Sequence, residues 1–331
     1  MPRPESLKPL IALSAVLCLV TLWYYLAIDS ASTGNMGSLQ QSKYTFEYLP
    51  GFFAQGEPES DGAVYEYMKH NLGLLDRDYE TDKAGDEETK QWQRFEKYVT
   101  SLAEAGETGV KYKVLYVGRH GEGYHNVAET KYGTAKWDSY WSKLDGDGEL
   151  YWSDAKLTDN GKQQALDNHA FLQRQFAEQK MPPPGRYYTS PLYRCLQTAN
   201  MEFSDLDLPS DKQFKPLVKE MMREVMGQHT CDRRSSRTII HGAFPDVDIE
   251  DGFSEEDELW QAAHRETHDE HDVRTRALLD DVFEHDEHAF LSFTSHSGSI
   301  ASMLRVIGHC EFRLPTGGMM PLFVKATKSS S

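Results

Sequence analysis

The sequence predicts an α/β fold in which a largely parallel sheet is sandwiched by helices. The main observation is a strand-to-helix junction that occurs three times. Short apolar or aromatic runs at residues 114–118, 186–190 and 289–295 are each followed by the start of a helix, and strands that alternate with helices are typical of parallel sheets. Of the 331 residues, 39% are apolar, which is enough for one sizeable α/β core or two smaller ones.

The first junction carries an arginine and a histidine at the carboxyl end of its strand. Arg119 and His120 follow the apolar run directly, and Gly121 comes next. Open α/β sheets bind their ligands at this end of the strands. Arginine offers a permanent, fork-shaped cation for an oxyanion, a neutral imidazole is a nucleophile, and glycine lets the backbone approach a ligand. These residue types predict a site for an oxyanion.

The other two junctions place an arginine and a second histidine at the same kind of position. In the second junction, Pro191 suits the first turn of a helix, and Arg194 lies about one turn in. In the third, His296 precedes an apolar helix predicted for about residues 300–307. Free N–H groups at a helix amino terminus bind phosphate. A surface charge beside a loop explains each junction alone, but three such junctions favour one phosphate site.

Charge and cysteine usage narrow the function classes. A net charge of −17 argues against a nucleic-acid partner, because nucleic-acid binding needs a basic face. An anionic substrate then requires positive potential concentrated in one pocket, which the three junctions supply. Besides Cys18 in the apolar amino-terminal run, Cys195, Cys231 and Cys310 are odd in number and lack metal-ligand spacing, so no disulfide framework is predicted.

These segments resemble the phosphoglycerate-mutase-like branch of the histidine phosphatase superfamily. That family carries Arg-His-Gly after its first strand, a Leu-Thr-x-x-Gly-x-x-Gln-Ala helix start and a Ser-x-Leu-x-Arg-x-x-x-Thr-Ala block. A carboxylate in a Leu-Arg-Glu-like segment and a late Ser-His-Gly element complete the pattern. The matching positions, all within about Tyr112–Ala326, are residues 119–121, 157–165, 190–199, 222–227 and 295–298.

The resemblance implies a three-layer α/β/α sandwich and phosphoryl transfer through a phosphohistidine. His120 would attack phosphorus with one ring nitrogen while the other donates to a backbone carbonyl or similar partner. Arg119, Arg194 and His296 would stabilise charge on the phosphoryl oxygens, so neither a metal nor a cofactor is expected. Glu224 would protonate the leaving oxygen and later activate water.

Two departures from the family pattern bear on which reaction is catalysed. His125 stands where mutases tend to carry Trp before the Asn of the first block, and Gly227 follows the carboxylate one residue early. Both count against mutase activity more than against phosphoryl transfer. The Asn itself, Asn126, has two interpretations: its amide hydrogen-bonds a phosphate oxygen, or it caps a helix or turn.

We therefore expect a histidine-dependent phosphatase that hydrolyses a small phosphorylated compound. One alternative is a phosphoglycerate mutase, which would need a bisphosphate primer to keep His120 phosphorylated. Another is a membrane-anchored protein that binds phosphate without turnover, although the intact set of site residues argues against it. An insertion between the second and third strands of the motif is expected to act as a lid.

The amino terminus predicts attachment to a membrane. After a basic flank at residues 1–9, residues 10–28 carry no charge, and this length is close to what crosses a bilayer. Trp23, Tyr24 and Tyr25 suit a membrane interface. We expect a signal-anchor that leaves the catalytic domain lumenal or extracellular, or else a cleaved signal peptide and secretion.

The rest of the chain is expected to form one domain. A linker at residues 29–43 leads to a histidine phosphatase domain at 44–327, which is followed by a tail at 328–331. Residues 44–106 are expected to be an extension packed on the domain. Within it, the spacing of three apolar residues predicts an amphipathic helix; they are Trp92, Phe95 and Val99.

Two charged clusters have alternative interpretations. Residues 254–284 are predicted as one long helix whose buried side holds Leu259, Trp260, Ala263, Leu278, Leu279 and Val282. Three histidines would share one face of that helix, either as metal ligands or, as we favour, as part of a solvated surface; they are His264, His268 and His271. An arginine cluster either selects substrate anions or pairs with the acidic surface, and its members are Arg233, Arg234 and Arg237.

Overall fold

A seven-stranded sheet organises the residues that the structure describes. The structure is a computed structural model, and it describes residues 42–57, 59–85 and 88–329. The strands are β1 (Tyr44–Tyr48), β2 (Val110–Arg119), β3 (Arg186–Thr189), β4 (Pro216–Val218), β5 (Asp248–Ile249), β6 (Phe290–Ser295) and β7 (Met319–Lys328). They lie in the order β1-β7-β2-β6-β3-β4-β5.

Helices connect most of these strands. The described α-helices are α1 (Gln91–Glu104), α2 (Tyr124–Tyr132), α3 (Thr134–Ser139), α4 (Asp159–Arg174), α5 (Tyr193–Phe203), α6 (Arg237–Ala243), α7 (His268–His285) and α8 (Ser297–Ile307). Side-chain caps set where two of them begin. The Thr158 hydroxyl accepts a hydrogen bond from the Gly161 N–H at the start of α4, and Thr267 forms a capping box with Glu270 at the start of α7.

Most strand pairings are parallel, which confirms the predicted α/β fold with a mostly parallel sheet. β2 pairs in parallel with β6, β6 with β3, β3 with β4 and β4 with β5, while β7 lies antiparallel between β1 and β2. In the β2–β6 register, Arg119 lies opposite Ser295. The next residues, His120 and His296, therefore leave the sheet side by side at its carboxyl edge.

Helices cover both faces of the sheet, because alternate residues of a strand point to opposite sides. On β2, Leu115 and Val117 belong to an apolar cluster that includes side chains of α7 and α8. Val114 and Tyr116 belong to a second cluster, which includes side chains of α1 and α4. The core therefore has two parts, one on each face, in a helix–sheet–helix arrangement.

The segment before β2 contributes to this core. β1 pairs with β7 at one edge of the sheet, and Trp92, Phe95 and Val99 on α1 are fully buried. The expected membrane span at residues 10–28 lies outside the described residues, as does almost all of the linker at 29–43, so both stay predictions. Among the helices that are described, none combines the length and the apolarity needed to cross a bilayer.

The insertion between the second and third strands of the motif, for which a lid role is predicted, forms part of the sheet. It contributes β4 and β5, which extend the sheet beyond β3. The prediction of one helix over 254–284 is wrong, because α7 begins only at His268 and residues 254–267 are irregular. Leu259 and Ala263 are exposed there, whereas the apolar residues predicted to be buried on α7 itself are buried. The Thr267 cap explains the late start of the helix.

Candidate active site

His120 is the first residue beyond β2, and both its backbone and its ring are fixed. Its N–H donates to the Ser295 carbonyl at 3.0 Å, and its carbonyl accepts from the Gly317 N–H at 2.9 Å. Its ring Nδ1 lies 2.7 Å from the Gly121 carbonyl oxygen. A carbonyl can only accept, so Nδ1 carries the proton and Nε2 keeps its lone pair. This is the tautomer that a nucleophilic imidazole needs.

The surroundings of His120 keep its ring neutral. The residue is 1% exposed. Burial, followed by the nearby Arg194 and Arg119 cations, lowers the pKa of His120 well below its ordinary value of 6.5. An unprotonated Nε2 is therefore present at neutral pH.

His296 lies beside His120 and is oriented by a serine. The two ring centroids are 5.1 Å apart, and His296 Nε2 lies 2.8 Å from the Ser190 hydroxyl oxygen. The Leu192 N–H donates to that oxygen at 3.3 Å, so the hydroxyl proton can be donated to Nε2. His296 then carries its own proton on Nδ1, where it can bond a phosphoryl oxygen. Burial and Arg194 lower its pKa well below 6.5.

Arg194 is a buried cation in the first turn of α5. The helix begins at Tyr193, slightly later than Pro191 suggested. The guanidinium is 1% exposed and donates to the Cys231 carbonyl at 2.6 Å and to Asp232 Oδ1 at 3.0 Å. Its Nε has no hydrogen-bond partner among the described residues. A buried cation with an unused donor suits an anionic ligand.

Arg119 connects the histidines to an open cavity. It donates to the Leu314 carbonyl at 2.8 Å, and its Nε, like that of Arg194, has no partner in the described part of the chain. Burial lowers the pKa of Arg119. Together with Ser297 and Gly298, Arg119 lines a cavity of about 810 Å³. A second cavity, of about 740 Å³, is lined by none of the six predicted site residues, so we place the site at the first.

Glu224 reaches the site from an irregular loop after β4. Its Oε2 accepts from the Gly298 N–H at 3.0 Å and from the Ser297 hydroxyl at 3.3 Å, and its Oε1 accepts from the Val225 N–H at 2.9 Å. These bonds place the carboxylate against the first turn of α8. Because Ser297 directly follows His296, the carboxylate lies beside the paired histidines and can exchange a proton with a ligand held there.

Close backbone packing explains the block at residues 157–165. A Cβ on Gly161 would collide with the backbone of Glu122, and a Cβ on Gly121 would collide with the backbone of Gly161. The Thr158 hydroxyl donates to the Glu122 carboxylate at 2.6 Å. Glycine at both positions lets the loop after β2 lie directly on α4, which fixes the direction in which His120 leaves the sheet.

Two polar residues at the start of α2, Asn126 and His125, lie beside the loop that carries His120. Asn126 Oδ1 accepts from the Gly123 N–H at 3.0 Å, so the geometry favours its capping interpretation. His125 is 9% exposed, its ring centroid is 5.3 Å from that of His120, and its Nδ1 has no partner among the described residues. Burial and Arg194 lower the pKa of His125 well below 6.5. In the sequence, this third histidine stands out only as a departure from the mutase pattern.

Two further supporting residues were not predicted. Thr198 Oγ1 accepts from the Gly121 N–H at 3.1 Å and donates to the Arg194 carbonyl at 2.7 Å. Asp232 lies 33 positions before Arg265 in the chain and accepts a hydrogen bond from it at 2.9 Å. Thr198 belongs to the family block at residues 190–199, so its place in that block could have indicated a supporting role. Asp232 has no motif, and its pairing depends on the tertiary structure.

The arginine cluster is explained largely by acidic partners. Arg234 is 4% exposed and donates to the two carboxylate oxygens of Glu220 at 3.0 and 2.9 Å. Arg233 pairs with Asp145 at 3.1 Å, and Arg237 is exposed at the start of α6. Pairing with acidic residues, one of the two interpretations, therefore holds for Arg233 and Arg234.

The three histidines considered as metal ligands do not converge. His264 precedes α7, and its Nε2 lies 3.1 Å from Glu270 Oε2. His268 is exposed, whereas His271 is 1% exposed, and neither of its ring nitrogens has a hydrogen-bond partner in the described chain. The shared face required that residues 254–284 form one helix, and they do not.

Within the described residues, a different group of ligand-type side chains does lie close enough together to hold a metal ion. Its members are His229, Cys231 and Asp232. Asp232 bonds Arg194 through one oxygen and Arg265 through the other. Its carboxylate is thus already neutralised by two cations, which would repel a third. We assign no metal to this group.

Comparison with known proteins identifies the family. A model of the histidine phosphatase superfamily (branch 1) matches residues 147–316. A protein named probable phosphoglycerate mutase, from Arthroderma benhamiae, is 47% identical over 288 residues, which are 86% of this chain and 86% of that protein. The chain belongs to the histidine phosphatase superfamily. Its similarity to a protein named probable phosphoglycerate mutase places it in the phosphoglycerate-mutase-like branch.

Further relatives and solved structures are similar to this histidine phosphatase superfamily member. Probable phosphoglycerate mutase PMU1 of Saccharomyces cerevisiae is 36% identical over 232 residues, covering 65% of this chain and 79% of that protein. A crystal structure of phosphoglycerate mutase from Bacillus anthracis aligns with a TM-score of 0.42 at 15% identity, covering 67% of this chain and 94% of that chain. The ecdysone phosphate phosphatase of Bombix mori aligns with a TM-score of 0.40 at 15% identity, covering 63% and 88%.

Proposed function

We propose that this protein is a histidine-dependent phosphatase that hydrolyses a small phosphorylated substrate through a phosphohistidine at His120. The observation that carries the proposal is the ring of His120. Its Nδ1 proton is held by the Gly121 carbonyl at 2.7 Å, and its burial beside two arginines keeps Nε2 unprotonated. Such a ring is a nucleophile that needs no separate base.

The first chemical step transfers the phosphoryl group to the protein. His120 Nε2 forms a bond to phosphorus as the bond to the leaving oxygen breaks, and protonated Glu224 gives its proton to that oxygen. Arg119 and Arg194 would donate to the equatorial oxygens through their unused Nε atoms, and His296 through Nδ1. The second step reverses these roles: Glu224 takes a proton from water, the hydroxide attacks phosphorus, and His120 is released with inorganic phosphate.

Trapping the intermediate tests this proposal. After brief incubation with ³²P-labelled phenyl phosphate and an alkaline quench, label that is stable to alkali and labile to acid should be found on His120. The His120→Ala variant should lose the label, and its kcat/KM should fall by about 10⁴-fold or more. His285→Ala, which removes an exposed histidine at the end of α7, is the matched control and should keep both.

Label on another residue, or full activity of His120→Ala, would contradict the mechanism. Binding of phosphate by the wild-type protein without any turnover would favour the third interpretation, a non-catalytic phosphate-binding protein.

Phosphoglycerate mutase activity is the second candidate, because relatives that cover most of this chain are named probable phosphoglycerate mutases. A mutase must return the phosphoryl group to a second hydroxyl of the substrate instead of to water. Incubation with phosphoglycerate and a bisphosphate primer separates the two reactions. Release of inorganic phosphate in excess over isomerised phosphoglycerate supports the phosphatase, and the reverse ratio supports the mutase.

A further inference from the structure

We propose that Arg274, Glu266 and Arg265 are positioning residues that hold the Glu224 loop, residues 221–227, in the geometry required for proton transfer. The inference rests on the proposed role of Glu224 as the acid of the first step. None of the three residues lies in the blocks of the sequence that match the family pattern, and each bonds the backbone of this loop.

Arg274, on α7, binds three carbonyl groups of the Glu224 loop. One guanidinium nitrogen donates to the Met221 carbonyl at 2.8 Å and to the Arg223 carbonyl at 2.9 Å. The other terminal nitrogen donates to the Glu224 carbonyl at 3.1 Å. Arg274 is 7% exposed, so these are buried, charge-assisted bonds, which are among the stronger ones in proteins.

Glu266 orients this guanidinium and adds two bonds of its own. Its carboxylate accepts from Arg274 at 2.8 and 2.7 Å and from the Met226 N–H at 3.0 Å. Its backbone N–H donates to the Met226 carbonyl at 2.8 Å. Glu266 as a whole residue is 9% exposed. Glu266 and Arg274 therefore form one buried pair that hydrogen-bonds the loop backbone on both sides of Glu224.

Arg265 binds two more carbonyl groups of the loop and connects the loop to the phosphate side of the site. One of its terminal nitrogens donates to the Val225 carbonyl at 2.8 Å, to the Gly227 carbonyl at 2.8 Å and to Asp232 Oδ2 at 2.9 Å. The other oxygen of Asp232 accepts from Arg194. Although burial opposes its charge, Arg265 and Arg194 lower the pKa of Asp232. The Glu224 loop, through Arg265, and Arg194 are thus both connected to the carboxylate of Asp232.

The loop needs this support because it has little regular structure. After the short 3₁₀ turn Glu220–Met222, residues 223–229 form bends with no strand or helix pairing. Gly227 has a φ of +88°, and a Cβ there would collide with the His264 carbonyl. Because the loop lacks the hydrogen bonds of a sheet or helix, bonds from Arg265, Glu266 and Arg274 satisfy most of its carbonyls and define where Glu224 lies. A displacement of about 1 Å at such a site can lower a rate about 100-fold.

Leaving-group dependence distinguishes a positioning role from simple stabilisation. Phenyl phosphate and p-nitrophenyl phosphate have similar shapes, but phenolate is the poorer leaving group and needs the proton of Glu224 more. In Arg274→Lys, kcat/KM for phenyl phosphate should fall by about 10–100-fold, whereas for p-nitrophenyl phosphate it should stay within about threefold of wild type. Glu224→Gln should show the same selectivity in stronger form.

Two more variants keep the test decisive. Glu266→Gln preserves the shape of the pair, and it should give a weaker loss with the same selectivity even if Arg274→Lys fails to fold. Arg94→Lys is the matched control, since Arg94 bonds Asp82 and Asp78 and ties a turn to α1 instead of the Glu224 loop. It should lower thermal stability and leave the ratio of the two kcat/KM values unchanged.

Equal losses on both esters in Arg274→Lys and Glu266→Gln, or no loss on either, would overturn the proposed positioning role. Failure of the proposed function is a different result. In that case the wild-type protein would hydrolyse neither ester, or His120→Ala would hydrolyse both as well as wild type.

Discussion

The two sides of the candidate active site are held in place by different means. On the side of the proposed nucleophile (the nucleophile side), His120 and His296 directly follow parallel strands β2 and β6, and Arg194 lies in the first turn of α5; all three are at most 1% exposed. On the side of the proposed acid (the acid side), Glu224 is half-buried on an irregular loop. The first set is positioned by strand register and helix starts, and the second by side chains that bond the loop's backbone.

This difference teaches how the two sides should respond to mutation. The phosphoryl group is common to every substrate, so damage to the nucleophile side should lower the rate for all phosphate esters alike. Damage to the acid side should matter most for esters with poor leaving groups, because only those depend on a proton in the transition state. Arg194→Ala and Gly298→Ala test that distinction, one on each side.

Arg194→Ala should have the largest effect and should not discriminate between esters. Loss of one fixed donor to the phosphoryl oxygens should lower kcat/KM by about 10²–10³-fold, equally for phenyl and p-nitrophenyl phosphate. Asp232 would lose one of its two cationic partners, so the free energy of unfolding should fall by about 3 kcal/mol. Steady-state kinetics with both esters and urea denaturation measure these effects, and Arg276→Ala, an exposed residue of α7, is the control.

A selective loss on phenyl phosphate in Arg194→Ala would contradict the assignment of Arg194 to the phosphate side.

Gly298→Ala should have an intermediate effect confined to the acid side. A Cβ at this position would collide with the Glu224 carboxylate and with the Val225 side chain, so the carboxylate must move. We expect kcat/KM for phenyl phosphate to fall by about 10-fold or more, with a smaller loss for p-nitrophenyl phosphate.

Gly242→Ala provides the matched control for Gly298→Ala. Gly242 lies in α6, and no heavy atom lies within 4 Å of where its Cβ would be. Alanine should therefore leave the kinetics unchanged and stabilise the helix by up to about 1 kcal/mol. Similar kinetics in the two alanine variants would show that the Gly298–Glu224 contact has no part in catalysis.

His271→Leu should have the smallest effect, which concerns how stability depends on pH. Burial, followed by Arg274 and Arg305, lowers the pKa of His271 from 6.5 to about 2. Above pH 6.5 the His271 ring is neutral in both the folded and the unfolded protein, so it does not make the free energy of unfolding depend on pH. Below that pH, the unfolded chain takes up a proton that the folded protein does not, so stability is lost as the pH falls.

The measurement is urea denaturation of wild type and His271→Leu at pH 7.5 and 5.5. The variant should lose about 1.4 kcal/mol less than wild type over this interval. His268→Leu, which removes an exposed histidine of the same helix, controls for the loss of a histidine. An identical pH dependence in wild type and His271→Leu would mean that His271 is protonated in the folded protein.

The sequence by itself determined the nucleophile side. Strand periodicity placed Arg119, His120 and His296 at strand ends, and parallel strands bring such ends to one edge of the sheet. The apolar spacing of α1 likewise predicted its buried face. These features depend on local patterns of a few residues, which is why they could be recognised without the fold. The parallel pairing of β2 with β6 then brought His120 and His296 together as expected.

Only the tertiary structure decided how the acid side is built. Residues 254–267 carry enough apolar and charged residues to suggest a helix, but their hydrogen-bonding groups are used elsewhere: Arg265 and Glu266 bond the Glu224 loop, and the Thr267 cap starts α7 late. The helical and the irregular conformation of this segment differ in hydrogen bonds between residues about 40 positions apart, and no local sequence pattern indicates such bonds. The pairing of Asp232 with Arg194 and Arg265 also depends on the fold, because the two cations that neutralise this buried carboxylate come from distant parts of the chain.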